Sequence, residues 1–138
     1  MKAVTVKQPY ASLIRNGIKK YEFRNLNTSY RGPIFIHASK QDDPLSMIIH
    51  EHLNLDYKRS KIIAVANLVD CLEFNDELRE KLIAEEQINY SFSKCSHKYA
   101  WVLENVKPIE SNVEVRGQLG IWNIKDYELI EELNGWEY

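Results

Sequence analysis

Residues 17–24 carry the most informative pattern of the chain, Gly17-Ile18-Lys19-Lys20-Tyr21-Glu22-Phe23-Arg24. The glycine predicts the end of a helix. The alternation after it is typical of a strand, with Tyr21 and Phe23 on one face. Glu22 and Arg24 then project from the other face, about 7 Å apart along the strand, within reach of Lys19. Charges at this spacing either bind a polar ligand and shift each other's pKa, or form a surface ion-pair network of little energetic value.

The surrounding sequence predicts alternating short strands and helices. Residues 2–7 and 33–38 alternate as strands, Gln8-Pro9 begins a helix that ends near Gly17, and residues 25–32 form a loop. Farther along, strands are predicted over residues 62–74, 99–106, 113–115 and 121–124. Helices are predicted over residues 44–55, from Asn75 to about residue 88, and as an acidic C-terminal helix at about 126–138. This order indicates an α+β fold, a small and partly open mixed β-barrel flanked by helices.

Length and composition narrow the class of protein. A chain of 138 residues without an internal repeat or linker is the size of a single domain, so we expect one domain over residues 1–138. The apolar runs are too short for a membrane span, and lysines interrupt the N-terminal segment too early for a signal peptide. Cys71 and Cys95 form no paired motif, as expected of thiols in a reducing compartment. These features predict a cytoplasmic protein, monomeric by default, with no membrane partner.

The charge distribution is asymmetric along the chain. Residues 1–40 contain eight Lys or Arg residues and one acidic residue, Glu22, whereas the remaining residues carry an excess of acids. Such a basic segment favours a polyanionic ligand, or it is a solvated face balanced by the acidic helices beside it. The acidic C-terminal segment is not expected to face nucleic acid.

Six blocks of sequence occur in an order that matches a known family. They are Gln8-Pro9-Tyr10-Ala11-Ser12, the Gly17/Lys19/Glu22/Arg24 motif, Arg31-Gly32 before the strand of residues 34–39, Leu68-Val69-Asp70-Cys71, Trp101-Val102-Leu103-Glu104, and Arg116-Gly117 before Ile121-Trp122. The combination resembles the ASCH domain (activating signal cointegrator homology), a branch of the PUA-like superfamily. The resemblance implies a PUA-like β-barrel whose cleft, lined by the motif residues, accommodates a nucleobase or a short RNA segment.

Some relatives in this family hydrolyse acylated nucleosides such as N4-acetylcytidine. Their catalytic groups resemble a triad of lysine, threonine and glutamate, in which the lysine assists the threonine nucleophile. Lys19 matches the lysine of that arrangement, but Glu22 stands where the threonine is expected. A carboxylate does not replace an alkoxide nucleophile in acyl transfer, which disfavours this mechanism. If the protein is an enzyme, Glu22 is the candidate general base on water, and Lys19 or Arg24 stabilises the oxyanion.

The candidate ligand-binding residues are Tyr10, Ser12, Lys19, Glu22, Arg24, Arg31 and Asp70. Tyr10 either stacks on a base or closes the end of the barrel. Asp70 either meets the basic cluster across the barrel or is a barrel-end carboxylate bonded to backbone. His37 on its strand is more often structural than catalytic. His50 and His52 point about 200° apart on a helix, so no metal site and no cofactor are predicted.

Three functional hypotheses follow from these residues. The first is a nucleic-acid-binding domain, with RNA as the expected partner, that takes a base or modified nucleoside into its cleft. The second is a small amidohydrolase acting on N-acylated nucleosides, which requires turnover by Lys19 and Glu22. The third is an adaptor that binds protein through its acidic helices. Salt-dependent oligonucleotide binding is expected only of the first, and turnover without a cofactor only of the second.

Overall fold

The computed structural model describes residues 1–87 and 97–136. Six strands lie within these ranges: β1 (Lys2–Gln8), β2 (Tyr21–Arg24), β3 (Gly32–Asp42), β4 (Lys61–Glu73), β5 (Tyr99–Pro108) and β6 (Ile121–Asn123). The helices are α1 (Tyr10–Arg15), α2 (Pro44–Ile49), α3 (Asp76–Ala84) and α4 (Tyr127–Asn134). The predicted α+β class is confirmed. No helix in the described ranges is both long enough and apolar enough to cross a membrane.

The strands form one sheet in the order β2-β5-β4-β3-β1-β6. The β1–β3 pair is parallel, and the other pairs are antiparallel. Over the part of the chain that the structure describes, β2 and β6 are the two edges of an open sheet, so the predicted closure into a barrel is not confirmed. The sheet is nevertheless curled, because Arg24 in β2 donates a hydrogen bond to a carbonyl of β1, with three strands lying between them in the sheet order.

Both faces of the sheet are covered. On the concave face, α1 contributes Ala11 and Ile14 to a core cluster that also contains Trp101. On the other face, Leu129 and Leu133 of α4 pack over β1, β3 and β4, and α3 packs over β2 and β5. The side chains of Asn75 and Asp126 cap α3 and α4 by accepting from backbone N–H groups of the first turn. Helices on both faces therefore leave the ends of the strands and the connecting segments as places for a ligand site.

Two predicted elements differ from the structure. Residues 113–115 are not a strand; Val113 donates its N–H to the Ser111 hydroxyl and Val115 donates to the Ser60 carbonyl, so the segment is held at single points rather than by a ladder. The predicted helix over residues 44–55 ends at Ile49 and continues as a 3₁₀ turn, Glu51–Leu53. Its apolar stripe does not pack on the sheet, since Ile48 is 64% exposed, so nothing there favours a longer helix.

Several further boundaries were predicted with small errors. The acidic C-terminal helix, predicted to about residue 138, ends at Asn134, and Gly135 follows it as the C-cap residue. The helix that begins after Asn75 ends at Ala84, before residue 88, which lies outside the described residues. Strand β3 runs on to Asp42, four residues beyond the predicted end, because Asp42 pairs with Gln8 of β1 after a bulge. The interpretation of Cys95 as an isolated thiol also concerns a residue outside the described ranges. These differences leave the order of elements unchanged.

Candidate functional site

The turn after α1 delivers Lys19 to the interior. Gly17 adopts a positive φ of 75°, and the Leu13 carbonyl accepts the backbone N–H groups of both Ile18 and Lys19 at 3.0 and 3.1 Å. This closes the helix with glycine in the left-handed conformation, as the sequence predicts. The chain therefore enters β2 with the Lys19 side chain pointing back into the protein, where it is 1% exposed.

Lys19 is surrounded by acceptors and aromatic rings. Its ammonium donates to the Tyr21 carbonyl and to Glu22 Oε1, the latter at 3.2 Å. The same nitrogen lies 4.8 Å from the ring centroid of Phe23 and 5.8 Å from that of Tyr10. A buried ammonium requires such compensation, because an unpaired charge in the interior is costly. Lys19 therefore acts on the site through Glu22 rather than by reaching solvent.

Glu22 connects two cations. Oε1 faces Lys19, and Oε2 accepts from Arg24 at 3.0 Å from Nε and 2.9 Å from Nη2. Burial by itself would raise the pKa of Glu22, but the Lys19 ammonium and the Arg24 guanidinium outweigh it and hold that pKa below its ordinary value. The carboxylate is therefore charged at neutral pH, and the predicted same-face placement of Glu22 and Arg24 is confirmed by this contact.

Arg24 is the member of the cluster that reaches the surface. Its guanidinium donates from Nη2 to the Thr5 carbonyl at 2.5 Å, lies 5.8 Å from the Trp101 ring centroid, and leaves the side chain 25% exposed. Within residues 1–87 and 97–136, hydrogen bonds and the ion pair use Nε and Nη2. The two N–H donors of Nη1 therefore remain for an acceptor outside this cluster.

Tyr10 and Ser12 lie near the motif, with different consequences. The Tyr10 hydroxyl bonds Asp43 at 2.9 Å and Ser46 at 2.5 Å, and burial raises the pKa of this phenol to about 12. Tyr10 is thus held neutral with its ring beside Lys19. Ser12 was predicted to bind ligand, but the structure places it in the core, where its hydroxyl donates to the Asp56 carbonyl at 2.9 Å. Ser12 is a structural residue because its hydroxyl already donates a hydrogen bond and its side chain is buried.

Arg31 and Asp70 form a separate surface pair. Their side chains approach to 3.6 Å, and that of Asp70 is 54% exposed. Asp70 Oδ1 also accepts the backbone N–H of Cys71 at 2.8 Å, so of the two alternatives the structure fits a carboxylate bonded to backbone and not a contact with Lys19 or Arg24. The reason is the two-residue period of β4. Cys71, not Asp70, pairs with Trp101, which in turn pairs with Glu22, so Asp70 points to the opposite face. Arg31 is also tied to its own loop, since it donates to the Thr28 and Tyr30 carbonyls.

Two residues that the sequence reasoning did not assign lie beside the cluster. Tyr99 is the cross-strand partner of Arg24 and is half-buried, with its side chain on the same face. His97 is exposed and precedes it by two residues; desolvation lowers the pKa of His97, while the Glu22 carboxylate acts to raise it. The alternation of Tyr99 and Trp101 was visible in the sequence, but its register against Arg24 was not.

His37 has a fixed protonation state. Thr5 Oγ1 accepts from Trp122 Nε1 at 3.1 Å and from the Gln118 N–H at 3.3 Å, so the Thr5 hydroxyl hydrogen donates to His37 Nδ1 at 3.2 Å. His37 Nε2 then carries the proton and donates to the Val115 carbonyl at 2.8 Å. Desolvation lowers the pKa of this imidazole against the opposing effect of its backbone hydrogen bonds. His37 is a structural residue in its neutral form.

This environment predicts a pH-dependent stability. The unfolded chain binds a proton at the ordinary imidazole pKa of 6.5, above the pKa of folded His37, so stability is present above that value and falls as the pH drops below it. We expect the slope of unfolding free energy against pH, measured with urea between about pH 7 and pH 5, to be shallower in His37→Asn. An unchanged slope in His37→Asn contradicts the assignment.

No group of three or more His, Cys, Asp or Glu side chains in the described part of the chain is arranged to hold a metal ion.

Comparisons with known proteins identify the same family as the sequence blocks. The model of the ASCH domain matches residues 4–114. Human activating signal cointegrator 1 is 26% identical over 130 residues, which cover 88% of this chain and 22% of that protein. The chain thus spans about a fifth of the length of that relative.

Solved structures match over nearly the whole chain. The crystal structure of ASCH from Zymomonas mobilis aligns with a TM-score of 0.61 and 14% identity, covering 97% of this chain and 94% of that one. A single-residue mutant of the same protein aligns with a TM-score of 0.59, also at 14% identity, over 96% and 94% of the two chains. At this identity the match concerns the fold.

Proposed function

The chain belongs to the ASCH domain family, and on that premise we propose that it is a nucleic-acid-binding domain, with RNA as its ligand, that holds a base or modified nucleoside beside Arg24. The observation that carries the proposal is the preorganised guanidinium. Glu22 and the Thr5 carbonyl fix Arg24 over the Trp101 ring while Nη1 keeps its donors. A guanidinium held in one orientation recognises a base carbonyl or a phosphate by paired hydrogen bonds without losing further side-chain entropy.

The neighbouring groups support a base as the group bound at this place. Tyr99 lies opposite Arg24 on the same face and offers a ring for stacking. The Glu22 carboxylate has acceptor sites beyond its two cation contacts and can receive an exocyclic amine. Lys19 lies on the buried side of that carboxylate and keeps it ionised. In this proposal Lys19 is therefore a positioning residue and does not contact phosphate.

Local pairing limits the electrostatic part of the proposal. Four of the eight cations in residues 1–40 face acids in the structure: Lys19 and Arg24 face Glu22, Arg15 faces Glu110, and Arg31 faces Asp70. The basic excess of the N-terminal segment is therefore smaller at the surface than its sequence suggests. Binding should rest on a few defined contacts rather than on a broad positive field.

The wild-type protein should bind single-stranded oligonucleotides. We expect an affinity that decreases with salt, with a slope of log K against log salt of about −0.7 for each phosphate contacted. Fluorescence anisotropy with labelled RNA and the matched DNA measures both the slope and the preference for the ribose hydroxyl. The absence of binding to any RNA or DNA homopolymer at low salt would overturn the proposed function.

The amidohydrolase hypothesis is less compatible with the site. Its base would be Glu22, and a carboxyl whose pKa is held below the ordinary range is a weak general base at neutral pH. We therefore expect the wild-type protein to release no acetate from N4-acetylcytidine at high enzyme concentration, measured by mass spectrometry. Release that falls by about 10²-fold or more in Glu22→Gln, with circular dichroism showing that the variant is folded under the assay conditions, would instead establish Glu22 as the catalytic base.

A further inference from the structure

A second place for a ligand lies on the opposite side of β1 from the motif. Residues 114–119, here named the strap, cross the end of β3 and form one wall of an open cavity of about 770 Å³. Thr5 lines this cavity, whereas its neighbours Val4 and Val6 pack in the core cluster that contains Trp101. The cavity and the Glu22–Arg24 contact are therefore on different faces of the sheet.

The strap is fixed against the sheet before any ligand arrives. The Gln118 N–H donates to the Thr5 hydroxyl, and the Val115 carbonyl accepts from His37. A Cβ atom on Gly117 would lie 2.7 Å from Thr5 Cγ2, so only glycine allows the strap to approach this closely. Because the strap is already held in place, a ligand that binds in the cavity would lose little free energy to ordering the strap.

The walls of the cavity suit a phosphodiester backbone. Lys40 and Arg116 contribute two exposed cations, and the ion pairs found among residues 1–87 and 97–136 involve neither of them. This distinguishes them from Lys19 and Arg24, which share the single carboxylate of Glu22.

Polar groups accompany these cations. Ser39 and Gln41 from β3 and Gln118 from the strap line the same space, and they offer donors and acceptors to a sugar hydroxyl or a base edge. Glu114 also lines the cavity, and its negative charge weakens the binding of an anionic ligand there.

Thr5 joins the cavity to Arg24. Its carbonyl accepts from Arg24, and its side chain lines the cavity. The ladder between β1 and β6 reaches only to Val4, which pairs with Ile121, so the edge of β1 at Thr5 is not covered by β6. Thr5 therefore lies between the two places, with Arg24 at its carbonyl and the cavity at its side chain.

We propose that this cavity binds the sugar–phosphate backbone of the single-stranded nucleic acid whose base lies beside Arg24. Lys40 and Arg116 contact phosphate oxygens, and the amide and hydroxyl groups of the wall contact the sugar. The inference rests on the proposed function, and it means that the protein binds a nucleic-acid strand rather than an isolated nucleoside. Affinity should consequently increase with oligonucleotide length until both places are occupied.

The test compares Lys40→Ala/Arg116→Ala with Lys81→Ala/Lys107→Ala, which removes the same charge from exposed positions outside both places. With labelled oligouridylates of increasing length, the first double variant should bind long oligomers about tenfold more weakly or worse, the factor carried by a charge-assisted hydrogen bond. Its salt slope should be shallower by about 1.4, which corresponds to two single-strand phosphate contacts. Its affinity for a mononucleotide should stay at the wild-type value.

Glu114→Gln provides a change in the opposite direction. Removing this acid should tighten the binding of long oligomers, an effect that partial unfolding does not produce. Equal losses in the two double variants, or wild-type affinity in Lys40→Ala/Arg116→Ala, would overturn the inference while oligonucleotide binding by the wild-type protein still upholds the proposed function. A wild-type protein that binds no oligomer removes both.

Discussion

Glu22→Gln should lower the free energy of unfolding by about 3–5 kcal/mol, because it leaves the Lys19 ammonium buried without its counter-charge. Glutamine keeps the shape and one acceptor of the side chain, so lost packing does not account for a change of this size. Urea unfolding followed by circular dichroism measures it. Glu104→Gln is the matched control, since it removes a carboxylate that is exposed on the neighbouring strand β5.

A double-mutant cycle identifies the charge as the cause. Lys19→Met removes the ammonium and keeps an apolar side chain among Tyr10 and Phe23, so Lys19→Met/Glu22→Gln should cost less than the sum of the two single changes. Additive losses would mean that the two groups do not interact.

The Lys19–Glu22 pair should also contribute to the stability of the wild-type protein in acid. Because the pKa of folded Glu22 is lowered, this stabilisation is present above about 4.5, the ordinary pKa, and is lost as the pH falls through the lowered value.

Arg24→Lys should weaken oligonucleotide binding by about ten- to a hundredfold, the range for losing a hydrogen bond to a charged group. The substitution retains the positive charge but not the planar fork that reaches Glu22 and the Thr5 carbonyl while presenting Nη1. Lysine has a single donor nitrogen, so it cannot bond Glu22, the Thr5 carbonyl and a ligand in the geometry of the guanidinium. Anisotropy titration with the same RNA as the wild type measures the effect.

The control for Arg24 is its exposed neighbour Lys20, whose replacement by alanine should leave the affinity close to that of the wild type. Unfolding curves for both variants separate lost contacts from lost structure, because Arg24 also links β2 to β1. Wild-type affinity in a folded Arg24→Lys variant would show that only the charge matters and would contradict a site built on guanidinium geometry.

The local part of this site was predictable. Glu22 and Arg24 share a face because a strand repeats every two residues, and Gly17 ends α1 because its backbone tolerates a positive φ. The caps at Asn75 and Asp126 follow from the same kind of short-range rule. The order of strands and helices, the α+β class and the family were likewise readable from periodicity and from six short blocks.

The errors occur where a residue's position depends on another strand. The sequence left two positions open for Asp70, beside the basic cluster or bonded to backbone. The register shift in β4 between Leu68 and Asp70 and the alternation of the strand set it on the face away from Glu22. Residues 113–115 alternate like a strand but find no neighbouring strand to pair with. Pattern within a segment cannot reveal register between segments, because register is decided by which partner is adjacent.

Sequence alone determined which residues are charged, which face Glu22 and Arg24 share within β2, and where α1 ends and α3 begins, since these properties depend on neighbours a few positions away. Tertiary structure decided that Lys19 is buried, that Arg24 meets β1 at Thr5, and that the strap packs on Thr5 as one wall of the open cavity. The last two contacts join residues 19 and 113 positions apart. Their existence depends on how the curled sheet packs its faces, and the free energy of that packing is shared among many side chains rather than encoded in any one segment.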